Sequence, residues 1–299
     1  MRTGPIAILA IGMALVSSSC GGGGEPRPDL AFVSTRDGDY AIFEMNADGS
    51  RQKRVTETTV DTASPRGLFF QIDPAWSPDG RSLAFASKRS GSFDIYIMRA
   101  DGTGTRRITT TVDDDMHPTW SPDGTWIAFE RGRRIYAVRP SGTGLRVISR
   151  GFPGDTDPAW SPDGTWIAFV RRVAGGPVRE IWMMRSDGRD AHQVTALHGS
   201  SINPAWAPNG KRIVFASNIV GSLYDLYVAS VRDGRVRRLT REGPDTFEPA
   251  WSPDGAVIAF AQDGAIATTD LSGHVETLTN TQNNDSSPAW NPHPPPSGG

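Results

Sequence analysis

Asp113, Asp114, Asp115 and His117 form the tightest cluster of potential ligands in the 299-residue chain. Carboxylates beside an imidazole are donor types that suit a divalent cation. A run of consecutive Asp is more commonly a solvated loop, so no metal is assigned and a divalent cation stays an open alternative. The cluster belongs to a wider pattern. Three residues before each of six tryptophans stand Asp73, His117, Asp157, Asn203, Glu248 and Ser287, and five before stand Gln71, Asp115, Asp155, Ser201, Thr246 and Asp285. Side chains alternate along a strand with period two, which predicts that both sets share one side, with Ile72, Met116, Ile202 and Phe247 on the other. The expectation is a mostly acidic collar in which Asp73, Asp115, His117, Asp155, Asp157, Asn203, Glu248 and Asp285 meet a cation, a cationic group or a polar peptide segment. The plainer alternative is that these residues cap loops and hydrate a channel.

Motifs for catalysis do not accompany the collar. The chain holds no Gly-x-Ser-x-Gly elbow, no His-Glu-x-x-His pair and no phosphate-cradling glycine loop, so the reading is a non-catalytic binder. Trp126 and Trp166 are expected to pack at blade edges, and Asp94, Glu180 and Asp225 to bond to adjacent loops. His192, His198 and His274 have no repeated partner and receive no role.

The elements that must position the collar are repeats. "DPAWSPDGRSLAF" at Asp73 returns as "HPTWSPDGTWIAF", "DPAWSPDGTWIAF", "NPAWAPNGKRIVF" and "EPAWSPDGAVIAF", then as a truncated "SPAWNP". Trp76, Trp120, Trp160, Trp206, Trp251 and Trp290 are 39 to 46 residues apart, the period of a four-stranded propeller blade. Ser-Pro-Asp-Gly is turn chemistry: Pro presets φ, Gly accepts the left-handed position, and the Ser hydroxyl can cap free amides. Short runs such as "SLAFAS" and "FDIYIM", bounded by Gly, Pro and Asp, read as strands. The first copy, from Asp29 to Thr56, lacks a leading Trp strand, and the last copy, ending at Pro292, has only that strand. The fold predicted is therefore all-β, a six-bladed propeller over 29–292 whose C-terminal strand completes the first blade and removes the exposed edges. Residues 293–299 are expected to be a disordered tail.

The N-terminus reads as export. Arg2, the apolar stretch Ile6 to Val16 and Ser17-Ser18-Ser19 have the layout of a signal peptide over 1–19. Cys20 is the only cysteine and resembles the lipidated cysteine of bacterial lipoproteins, although Ser17 stands where that signal carries an aliphatic residue. "GGGGEPRP" then serves as a flexible tether over 20–28. A net charge of -2 with scattered arginine pairs gives no global field for nucleic acid.

With these motifs the chain resembles the TolB-type propeller family, whose repeats read Pro-x-Trp-Ser-Pro-Asp-Gly, x-Ile-x-Phe, Ile-Tyr-x-Met, Asp-Gly and Leu-Thr. The resemblance covers Asp29 to Pro292 and implies a cell-envelope or periplasmic setting with an envelope protein or peptide as partner. It departs from TolB in lacking an α/β domain before the propeller. The expectation is an exported monomer, without cofactor, touching the membrane only through its lipid anchor. Two alternatives stay open: a carbohydrate-active lyase or hydrolase with a divalent metal at the mouth near His117, and a glycan or small-solute binding lipoprotein.

Overall fold

The computed structural model describes residues 29–57, 70–150, 154–241 and 243–293. The segment read as signal peptide, Cys20 and tether lies outside the described residues, as does the tail from 294. Six four-stranded antiparallel sheets make up the molecule. Blade 2 shows the pattern: Gln71–Trp76 innermost, then Ser82–Ser87, Asp94–Arg99 and the short outer Arg106–Arg107. Blades 3 to 6 start from Asp115–Trp120, Asp155–Trp160, Ser201–Trp206 and Thr246–Trp251. Blade 1 is composite, with Ser286–Trp290 paired antiparallel to Leu30–Ser34, followed by Ala41–Met45 and Lys53–Arg54. The predicted closure by the C-terminal strand is thus what the chain does. Among the described residues the only helical element is a 3-10 turn at Thr281–Asn283.

The core lies between blades. Phe32, Phe85, Phe129, Phe169, Phe215 and Phe260, one from the second strand of each blade, are fully buried. Burial of one such side chain stabilises by roughly 1.5–3 kcal/mol. A twisted sheet cannot cover both its own faces, so each blade's apolar face is sealed by its neighbour; the cluster around Phe32, for example, takes in Ala259 and Ile266 of blade 6 and Trp290. The tryptophans also join blades. The indole Nε1 of Trp76, Trp120 and Trp206 donates to the carbonyls of Ala289, Ala75 and Ala159 in the preceding blade, each at 3.1 Å.

Local chemistry explains the repeated words. In the first Ser-Pro-Asp-Gly turn, Ser82 N donates to Ser77 Oγ at 2.9 Å, Ser77 Oγ donates to Asp79 at 2.6 Å, and Gly80 N donates to Ser77 O at 2.8 Å. The bond from Ser77 holds the Asp79 carboxyl below its usual range, and the same holds for Asp123, Asp163 and Asp254. At the end of each outer strand a hydroxyl accepts the amide of the third strand's apolar residue. Thr56, Thr109, Ser149, Thr195, Thr240 and Thr279 all do this, at 2.9 to 3.0 Å.

Candidate functional site

Asp73, His117, Asp157, Asn203, Glu248 and Ser287 close on one another around the propeller axis. With the proline that follows each of them, they line a cavity of about 150 Å³. All six are left-handed, with φ between 50° and 54°, a conformation that costs a non-glycine residue about 1–3 kcal/mol. The cause and the use are both visible. The prolines at 74, 118, 158, 204, 249 and 288 have no N–H for the ladder, and the register skips at this point, for instance between Ile72 and Ala75. The ring residue's own N–H is thereby released from its sheet. In three places it is taken by the carboxylate of the preceding blade: His117 N by Asp73 at 3.3 Å, Asn203 N by Asp157 at 3.4 Å, and Ser287 N by Glu248 at 2.7 Å.

The carboxylates therefore alternate around the ring, on blades 2, 4 and 6, with His117, Asn203 and Ser287 between them. His117 is the one cationic side chain of the ring. Its Nδ1 lies 3.1 Å from Glu130 Oε2 and 3.3 Å from Asp157 Oδ1, and its Nε2 lies 3.7 Å from Asp73 Oδ2. Burial works against charging the imidazole, but Asp73, Asp157 and Glu130 together outweigh it and raise its pKa well above the ordinary value. One third of the side chain still reaches solvent. Glu248 moves the other way in charge: burial, and then the Asp73 carboxylate, raise its pKa and favour its neutral form.

The second predicted set does not join the ring. Asp115 is buried in a bidentate pair with Arg131, at 2.6 Å on both oxygens. Asp155 pairs in the same way with Arg171 at 2.7 and 2.8 Å, and Asp285 meets Arg36 at 3.0 Å. Ser201 bonds to Ser217, Thr246 to the Tyr224 carbonyl, and Gln71 is buried. Period-two alternation fails because the left-handed residue two positions on breaks the pleat, turning one set toward the axis and the other across its own sheet. Each paired arginine also lies over aromatic rings, Arg131 over Phe129 and Tyr136, Arg171 over Phe169 and Trp182, and Arg36 over Phe43. Those pairs plug the upper end of blades 1, 3 and 4.

The ligand cluster read from consecutive residues also comes apart. Asp114 accepts the Phe93 amide at 2.9 Å and Asp115 is engaged with Arg131. Among the described residues the group that could hold a metal is instead His117, Glu130 and Asp157, whose ligand atoms lie within 4.8 Å of one another. Glu130 was not expected from the sequence. Its column in the other blades holds Val33, Ala86, Val170, Ala216 and Ala261, so a lone acid in an apolar column was the available signal. Of the residues expected to bond to loops, Asp94 accepts from Thr111 N at 3.3 Å and Glu180 from Leu197 N at 2.7 Å. Asp225 pairs with Arg238 at 2.7 Å on the neighbouring outer strand.

Comparison with known proteins agrees with this architecture. Over 68 residues the chain is 38% identical to the Tol-Pal system protein TolB of Desulfosudis oleivorans, a match that takes in 23% of this chain and 14% of that relative's length. The crystal structure of TolB from Acinetobacter baumannii superposes with a TM-score of 0.75 at 22% identity, covering 90% of this chain and 67% of that one. A putative TolB from Agrobacterium tumefaciens gives 0.63 at 22% identity, covering 86% and 90%. The TolB beta propeller domain matches residues 66–151 and 142–294. The chain belongs to the TolB β-propeller domain family.

Proposed function

We propose that this propeller is a non-catalytic binding module of the cell envelope that takes a protein or peptide partner at its mouth, seating a cationic group of the partner against the ring. The observation that carries the reading is the alternation of Asp73, Asp157 and Glu248 around the axis, with six blades contributing to one cavity. Asp73, Asp157 and the adjoining Glu130 outnumber the one internal imidazolium and leave net negative charge where a lysine or arginine side chain would sit, with Glu248 adding acceptor oxygens. Exposed apolar residues on the loops of the same face, Tyr40, Val112, Val220 and Leu223, supply area for a docking partner around that polar centre. Relatives named as Tol-Pal system proteins support an envelope setting. Export by the N-terminal segment and lipid attachment at Cys20 complete the proposal.

The test is capture of envelope proteins by the full chain, compared with Asp73→Asn/Asp157→Asn/Glu248→Gln, which keeps acceptor oxygens for the ring amides and removes the charge. A partner held by the parent and lost by the triple variant is the expected result. Equal capture by both proteins overturns the reading. The His117, Glu130 and Asp157 triad favours a second reading, a mouth that holds a divalent cation. A metal would have to displace the imidazole proton, so tight zinc or manganese binding, lost in His117→Ala, would replace the first reading by this one.

A further inference from the structure

On the face opposite the mouth, the seam between blades 5 and 6 opens into two adjoining cavities of about 310 and 410 Å³, joined at Arg212 and Leu271. Their walls carry Lys211, Arg212, Arg235 and Arg237. The floor is apolar, with Val228 and Leu271 in one cavity and Trp251 in the other. Among the described residues neither Lys211 nor Arg212 has a carboxylate partner within ion-pair distance. Arg237 gives one N–H to the Leu271 carbonyl at 2.8 Å, and Arg235 has only a loose, exposed contact with Asp233 at 3.6 Å. The single acid of the lining, Asp254, is already occupied by Ser252 Oγ at 2.6 Å and Ala256 N at 3.0 Å. In a chain of net charge -2, this is a concentrated cationic groove with a greasy base.

We propose that this groove binds the phosphate-bearing headgroup of an anionic phospholipid, holding the propeller with its mouth turned away from the membrane. Charge selects an anion, and the apolar floor beneath the arginines suits the glycerol end of a lipid. Topology selects a membrane over a soluble ligand. Asp29 sits on this same face, next to blade 6 in the ring, with its carbonyl bonded to Asn291 N at 2.8 Å and its carboxylate to Ala47 N at 2.8 Å. The described chain thus starts on the groove side. A tether from Cys20 to Asp29 reaches at most about 30 Å when fully extended. This orientation uses the anchor reading above, whereas the groove itself does not.

The experiment uses the full chain with Cys20→Ser, so that no acyl group contributes, floated with vesicles of phosphatidylcholine alone or mixed with phosphatidylglycerol. The protein should float preferentially with the mixed vesicles. Each basic residue at an anionic surface strengthens binding about fivefold, so Lys211→Glu/Arg212→Glu should weaken it by about twentyfold or more, and Lys211→Gln/Arg212→Gln by less, with unchanged melting temperatures. Arg133→Glu/Arg179→Glu makes the same charge change on the mouth face and should retain binding. No preference for anionic vesicles overturns the proposal, as does equal loss in both reversed variants. Displacement of the protein from nothing but a poly-glutamate column would make the occupant an acidic peptide and overturn it as well. None of these outcomes depends on whether a partner occupies the mouth.

Discussion

Nδ1 of His117 lies 3.3 Å from Oδ1 of Asp157, so an imidazole from blade 3 crosses a seam to a carboxylate of blade 4. A charge pair across a seam acts as a fastener between sheets that have no shared backbone ladder. The folded protein raises the His117 pKa, burial opposing and the three carboxylates prevailing. The charged form is thus favoured by folding. That stability is fully present below the unfolded histidine pKa and is lost as pH rises through the higher folded value. His117→Gln should therefore melt below the parent by the widest margin near about pH 6, with the gap narrowing toward alkaline pH. A pH-independent gap in thermal unfolding would contradict this.

Glu44 gives a prediction of the opposite kind. It stands in the third-strand column that elsewhere holds Ile97, Ala137, Met183, Val228 and Thr268, is nearly inaccessible, and leaves Oε1 without a hydrogen bond. Burial, partly offset by Lys53, pushes its pKa up to about 8. A carboxyl raised on folding stabilises below its unfolded pKa and loses that contribution as pH climbs through the folded one. Glu44→Gln should gain up to about 3 kcal/mol at neutral pH and little at pH 4, as measured by urea unfolding at the two values.

Gly188 marks where one blade touches the next. Its φ is +84°, and a Cβ there would run into the Ile148 carbonyl oxygen of the preceding blade. Gly91, at φ +104°, has nothing within 4 Å. Both positions are strained for alanine, but only the first also collides with backbone. Gly188→Ala should cost on the order of 3 kcal/mol or more and Gly91→Ala about 1 kcal/mol; equal melting temperatures would refute the seam contact.

The indole bonds between blades can be weighed directly. Trp120→Phe removes the 3.1 Å bond to the Ala75 carbonyl, for about 1 kcal/mol beyond the change in packing. Trp160 Nε1 has no such partner. Trp160→Phe should therefore cost less, and chemical denaturation of the two single variants measures the difference.

Blade count and closure were legible because turn residues recur at fixed offsets, and those offsets are set by backbone geometry that every blade shares. The site was legible only in part. Asp73 and His117 announced themselves by position, yet the same reasoning placed Asp115 and Asp155 beside them, since nothing in period-two alternation foretells a left-handed residue before proline. An internal signal was present. Asp115 and Asp155 each have an arginine sixteen residues on, while Ser201 at the same place faces Ser217. In blades 3 to 5 acid and arginine come and go together, as paired groups within one blade must, whereas Asp285 takes Arg36, two residues beyond the equivalent Ser34.

Closure has a temporal consequence. Leu30 lies opposite Trp290 in the ladder, so the earliest strand of the propeller to emerge from a ribosome or a translocation pore finds its neighbour only when nearly the whole chain has followed. Until then its edge is unsaturated and open to foreign strands. Loop-closure entropy rises only slowly with the length enclosed, so the delay weighs on the rate of assembly and on the nascent chain's exposure to aggregation far more than on the final balance between folded and unfolded states.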